Sequence, residues 1–461
     1  MRDLLVFAVV LLSLPTSFRR PFVGMLVFSW LAYMRPQDLC WSFVRDMRLS
    51  FYVAIAMLIG WWANERGRRP FARWDVRSRL LLAMVVLVSI SYALARIHTD
   101  YSNRYYIEFL KIIVVALFTT GQVDSRQRFR ALAWTIAACL AFYGVKGGLK
   151  GVLTGGTPIL RGPGGMLEDN NDFALALVMN VPLLWYLGHN ERARRYVRTA
   201  TRIGVFLTVV TVALTHSRGG FLALAGTALW IAWRSGRLFR AVAGLGVAAL
   251  VFFTLAPADV LKRLGTIGDT HESSTAARLT SWSTASRMIT DNPIWGVGLR
   301  NFQYRYLDYA LVRPDESTTT YVAHNSYLQI WAENGSLTFG VYIVLLLSVF
   351  VACRRVWRIG MALPRMAWAA DYARMMEATT VGFMIGATFL NRGHFDLVYH
   401  WLALVTALVG ITLLELRADA PPATAPAGPL STGEVTVRQR HARPAPAMIP
   451  GKAAPRWGRA R

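Results

Sequence analysis

The sequence predicts an all-α protein that crosses a membrane many times, and three observations carry that expectation. Of 461 residues, 54% are hydrophobic and 16 are Trp, too apolar for a soluble chain. The apolar residues fall into many separate runs of about 16–22, the length that crosses a hydrocarbon core of ~30 Å. The arginines behind a formal charge of +25 sit in short loops between those runs. There they read as a topology signal rather than a nucleic-acid face, so the expected partner is a phospholipid membrane and no nucleic acid.

Residues 1–35 hold two short apolar runs, Leu4–Leu14 and Phe22–Tyr33, split by Phe18-Arg19-Arg20-Pro21. They read as two short spans, a re-entrant pair or one broken helix. Residues 4–14 resemble a signal-peptide core, but no small-residue cleavage site follows, so they are expected to stay in the membrane. Further runs lie at about 49–63, 80–95, 106–120, 131–149, 172–188, 203–216, 220–233 and 238–256. Others follow at about 328–352, 376–391 and 397–416, giving roughly twelve spans. The chain thus divides into a transmembrane bundle (1–256), a loop domain with the rim of the site (257–327), C-terminal helices (328–416) and a basic tail (417–461).

Arginines orient the bundle. Residues 64–79 carry Arg66, Arg68, Arg69, Arg73, Arg77 and Arg79; residues 189–202 carry Arg192, Arg194, Arg195, Arg198 and Arg202. Residues 352–374 carry Arg354, Arg355, Arg358, Arg365 and Arg374. The positive-inside rule puts these loops in the cytoplasm, and the loops at 96–105, 150–171, 216–219 and 257–323 outside. The last has seven Lys/Arg against seven Asp/Glu and helix-like stretches, so it is expected to fold. The tail is rich in Ala, Pro and Arg without periodicity and is expected to be disordered. Cys40, Cys139 and Cys353 show no CxxC spacing.

Unusual polar residues collect on the outer side. Tyr321–Gly335, YVAHNSYLQIWAENG, follows the large loop and enters an apolar run, so His324 and Asn325 lie where water meets hydrocarbon. An imidazole there can take a proton from an arriving hydroxyl, or simply bond the loop. Arg218, in THSRGG, has almost no loop to release it into water. It either grips a phosphate bidentately or snorkels while closing a tight turn. The Gly-rich loop 150–171 adds Arg161 as a second phosphate ligand. Its Asp169, Asn170, Asn171 and Asp172 can cap the next helix, bond sugar hydroxyls or hold Mg²⁺. A helix-like run from Ser274 to Thr290 brings Arg278, and Arg300 follows in DNPIWGVGLRNF. Either can complete an arginine clamp. Asn391, Arg392, His394 and Asp396 form a last polar knot, from which His394 or Asp396 can support the site or make a plain turn.

The chain lacks GxxxxGK[ST], HExxH, GxSxG and DxD. Without a nucleotide site, outer-face chemistry needs a donor activated elsewhere and delivered in the membrane. A lipid pyrophosphate meets that need.

SRGG at 217–220, RLTSW…DNPIWGVGLRNF at 278–302 and HNSYLQIWAENG at 324–335 resemble the O-antigen ligase/polymerase family of membrane glycosyltransferases, over about 150–415. The N-terminal RDLLVFAVVLLSLP…RRPFVG…YMRPQDL resembles a branch of O-glycosylation ligases associated with exosortase systems. The resemblance implies a GT-C-like enzyme of the bacterial inner membrane, with its active site facing the periplasm and neither metal nor other cofactor. It implies transfer of a polysaccharide from undecaprenyl pyrophosphate to a lipid A–core acceptor. His324 matches the family histidine and Arg218 its first arginine; Arg278 or Arg300 fits the loop arginine, and Arg161 is argued on physical grounds alone. The residues taken together give His324 as general base, Arg218, Arg161 and Arg278 or Arg300 as pyrophosphate ligands, and Asn325, Asp169, Asn170 and Asp396 in support. Alternatives are a polymerase, a protein O-oligosaccharyltransferase and, from another class, a lipid-linked glycan transporter. A transporter is expected to show paired broken helices and midplane charges, whereas here the polar residues gather at one face.

Overall fold

The computed structural model describes residues 1–191, 194–239, 242–244, 246, 273–311 and 320–418. Arg192, most of the run read at 238–256, loop residues 257–272 and 312–319, and the tail from 419 lie outside the described residues. The chain separates into Met1–Leu416 and Arg417–Arg461.

Among the described residues all regular structure is helical: α1 (Arg2–Arg19), α2 (Pro21–Tyr33), α3 (Leu49–Asn64), α4 (Val76–Ala93), α5 (Asp100–Gln122), α6 (Arg126–Leu153) and α7 (Asn170–Asn190). There follow α8 (Arg195–Leu214), α9 (Arg218–Arg234), α10 (Ser273–Asp291), α11 (Tyr306–Tyr309), α12 (Ser326–Ala362), α13 (Ala367–Ala387) and α14 (Asp396–Ala418). Six of these, α4, α5, α6, α8, α12 and α14, are long and apolar enough to cross a membrane. The N-terminal pair is two helices broken at Arg20, with Pro21 opening the second. The basic connection expected at 352–374 is much shorter. α12 runs on to Ala362, and one 3-10 turn at Pro364–Met366 leads into α13. Arg354, Arg355 and Arg358 therefore ride on the last turns of α12, and Arg374 lies within α13. Apolar counting ends a span too early where arginine stems can lie along it.

The basic connections meet at one end of the bundle. Arg69 pairs with Asp124 at 2.6 Å and Glu65 at 3.2 Å, and Arg128 reaches Asp124 at 3.7 Å. Arg130 pairs with Glu191, and Arg126 lies 5.0 Å over the Trp368 ring. These contacts join the turns after α3, α5, α7 and α12. The turns after α4, α6, α8 and α13 gather at the other end, with the start of α12.

α12 is broken at Gly335, where φ is +78°. The segment 293–298 fills the break: Ser336 N donates to Pro293 O at 2.8 Å, and Val297 N and Gly298 N donate to Ala332 O and Glu333 O at 2.9 and 2.8 Å. Groups orphaned by the interrupted helix are thereby paired. Ser91 Oγ on α4 donates to Trp295 O at 2.7 Å and Glu333 O at 3.1 Å. A Cβ on Gly335 would strike the Ile294 carbonyl. Gly335→Ala is therefore expected to cost about 1–3 kcal/mol from backbone strain alone, read as a lower thermal midpoint in detergent. An unchanged midpoint would show the break to be loosely held.

Candidate functional site

His324 sits immediately before the Asn325 cap of α12, and its backbone is left-handed at φ +48°. Two neighbours hold it there. Asn325 Oδ1 accepts from Tyr327 N at 2.9 Å and Leu328 N at 3.1 Å, so this side chain fixes the helix start. On the other side, Trp282 Nε1 of α10 donates to Ala323 O at 3.1 Å. The half-buried ring lies close enough to Arg278 and Asp169 for both to act on it. Burial and, after it, the Arg278 charge lower the imidazole pKa below its usual value, against an opposing pull from Asp169. The ring is neutral at pH 7 and can accept a proton.

Arg218 opens α9, half-buried, after the Ser217 cap, whose Oγ accepts from Gly220 N at 3.1 Å. The turn before it is anchored from α7: Asn170 Nδ2 donates to Thr215 O at 2.8 Å. Gly219 and Gly220 bring the start of α9 against Phe389 and Ala174. Phe389 leads into the strip that meets His324's helix, where Ser326 Oγ donates to Leu390 O at 2.8 Å and accepts from Arg392 N at 2.9 Å. His324 and Arg218 thus occupy the same end of the bundle, on helix starts joined by residues 389–392.

The 150–171 loop closes a third side. Ile159 N donates to Leu214 O at 2.8 Å, and the backbone of exposed Arg161 forms an isolated antiparallel β-bridge with that of Asp169. Asp169 caps α7, with Oδ1 2.8 Å from Asn171 N. Arg300, 8% exposed, is turned inward with its guanidinium 3.5 Å from the Tyr105 ring centre. The Arg278 charge acts on the His324 ring, and the Arg300 charge acts on Asp172 and Glu333. Asp396 opens α14, beside Arg392. His394 packs edge-on against Phe109 with ring centres 5.0 Å apart; burial, and then Arg300, push its pKa down to about 3. Its Nδ1 lies 3.4 Å from the Tyr399 hydroxyl. Among the described residues no group of three or more His, Cys, Asp or Glu is placed to hold a metal ion.

Arg392 and Asp172, each conspicuous in the sequence, pair with one another and tie the α13–α14 turn to α7. Other contributors were not conspicuous. Buried Glu333 faces the backbone N–H groups of Arg300 and Phe302. Arg35, left-handed at φ +48°, pairs with Asp38 at 2.5 Å, and the pair packs on Gly165 and Gly164. Among the described residues the non-glycine positions with positive φ are Arg35, His216, Arg300 and His324, all at this end. Backbone strain gathered at one place is a mark of a functional site.

Beside the polar residues lies an apolar groove of about 600 Å³, lined by Leu222, Tyr327, Phe339, Ile343, Ile385 and Phe389 among others. Leu222 is one turn from Arg218, and Tyr327 is in the first turn after His324. A charged group and an apolar chain can therefore be bound side by side.

Two family models match the chain. Residues 1–192 match a family of unknown function (DUF5935), and residues 203–343 match a family described as O-Antigen ligase. No curated protein matches. A solved structure titled "Structural coordination of polymerization and crosslinking by a peptidoglycan synthase complex" is 16% identical, with 76% of this chain and 99% of that chain covered. Its TM-score is 0.42.

Proposed function

We infer that this multi-pass membrane protein, whose residues 203–343 match a family described as O-Antigen ligase, transfers a glycan from undecaprenyl pyrophosphate to lipid A–core. The observation that carries this reading is the neighbourhood of His324: a neutral imidazole, arginines on adjoining helix ends and an apolar groove on the lipid side. The topology proposed with it has about twelve spans, with His324 and the 257–323 loop facing the periplasm of a bacterial inner membrane.

In the proposed reaction, His324 takes the proton of an acceptor hydroxyl as that oxygen attacks the anomeric carbon. The bond from that carbon to the pyrophosphate oxygen breaks, its electron pair leaves with the pyrophosphate, and the sugar centre inverts. Arg218 and Arg278, with Arg161 at the rim, neutralise the charge growing on the leaving group. Arg300, covered by Tyr105, holds the loop instead. The groove beside Leu222 and Tyr327 takes the prenyl chain. The imidazolium then returns its proton to water.

The direct test incubates purified protein with a lipid-linked glycan and, in separate arms, lipid A–core, a second lipid-linked glycan or a Ser/Thr peptide. Mass spectrometry of a lipid A–core product supports the ligase. Product in another arm alone reassigns the acceptor, and movement of donor across vesicles without covalent product makes the protein a transporter. A pH profile tests the base. Because the His324 pKa is lowered, the basic form persists below pH 6.5, and kcat/KM should stay level to that point and fall only in more acid solution. A fall already centred above pH 7 would speak against His324.

A further inference from the structure

We propose that the end of the bundle opposite His324 holds a second anion site, formed by Arg234, Arg354 and Arg374 around Trp357, which takes the phosphate headgroup of an anionic phospholipid. α9 has 17 residues between Arg218 and Arg234, about 25 Å at 1.5 Å per residue, so the two sites are a helix length apart.

Three guanidinium carbons lie over one indole. Arg354 Cζ is 4.8 Å from the Trp357 ring centre, Arg234 Cζ 5.0 Å and Arg374 Cζ 5.9 Å. An aromatic face attracts each cation but does nothing to cancel their mutual repulsion. Glu377 is the carboxylate whose charge the three share. Arg234 Nε bonds Glu377 Oε2 at 2.9 Å, and Arg354 and Arg374 also lie within reach of its charge. Asp371 is nearby and already partnered. Even with it counted, cations exceed carboxylates.

Two buried donors lie within the cluster. Among the described residues, Arg374 Nε and Trp357 Nε1 are buried with no hydrogen-bond partner. Burying such donors unpaired costs about 1–3 kcal/mol each, so a ligand that accepts from both is favoured. A phosphodiester supplies several acceptor oxygens and one negative charge, and guanidinium is its usual protein partner. Trp230 and Trp233 stack edge to face at 5.0 Å on α9, and Phe350 packs on Trp230 at 5.5 Å. Aromatic rings beside arginines at a bundle end suit a headgroup with its acyl chains alongside.

The test uses the full chain in vesicles of phosphatidylcholine alone, the same with phosphatidylglycerol, and the first with inorganic phosphate added. Native mass spectrometry should find phosphatidylglycerol retained, and Arg354→Gln with Arg374→Gln should weaken retention by roughly tenfold or more. Arg354→Gln alone changes an exposed side chain and should show a smaller loss of the same sign, which guards against misfolding of the double variant. Arg358→Gln, on an exposed neighbouring turn, should retain the lipid. Equal retention by wild type and double variant overturns the proposal. Stabilisation by inorganic phosphate as large as that by phosphatidylglycerol overturns the lipid assignment in favour of a soluble anion.

Discussion

His324→Asn is expected to lower kcat by about 10²–10⁴-fold, the range general-base catalysis contributes, with the donor KM little changed. Asparagine is the informative substitute because of the backbone. At φ +48° a β-branched or bulky residue is strained, whereas Asn tolerates the left-handed region. The variant therefore keeps the turn between Ala323 and the α12 cap while removing the proton acceptor. His324→Ala should show the same loss, and agreement between the two separates chemistry from folding. The measurement is single-turnover transfer from a lipid-linked glycan, alongside donor binding to each variant. Retained turnover in His324→Asn would remove the base assignment and leave His324 as a loop residue.

The bundle was legible because its determinants are local. Apolar run length and the arginines between runs require no knowledge of what packs on what, and α3, α4, α8 and α9 begin or end close to where their runs do. His324 and Arg218 were legible as residues because a polar group wedged between apolar runs is conspicuous. The contacts that hold their two helix starts at one end of the bundle, Asn170 to Thr215 and Ser326 to Leu390, were not legible. Glu333 was hidden within an apolar run, and its partners lie more than thirty positions earlier, at Arg300 and Phe302. Arg35 and Asp38 stand in YMRPQDL with no residue pattern that marks a site. Only the fold lays them on Gly164 and Gly165, where they brace the loop carrying Arg161 and Asp169. The Arg300 contact with Tyr105, far away in sequence, was equally hidden.

Arg218→Lys is expected to cost about 10²–10³-fold in kcat, comparable to removing one preorganised donor from a site of developing charge. The charge survives this change, so a purely Coulombic role predicts a small effect. The turn argues for more. Arg218 leaves a capped helix start whose backbone is clamped by Ser217, by Asn170 on Thr215 and by the packing of Gly219 and Gly220. Such a mounting fixes where the guanidinium fork points, and a lysine ammonium offers a single point charge on a flexible stem. A donor that bonds two pyrophosphate oxygens in the transition state should thus be lost while ground-state attraction remains, so kcat should fall and the donor KM should move far less. Arg218 is already partnered in the resting chain, so the lysine variant must also keep the wild-type thermal midpoint for the comparison to report on chemistry. With that midpoint held, wild-type kcat in Arg218→Lys would leave the leaving group to Arg278 and Arg161, whereas a rise in KM alone would make Arg218 an anchor for bound donor.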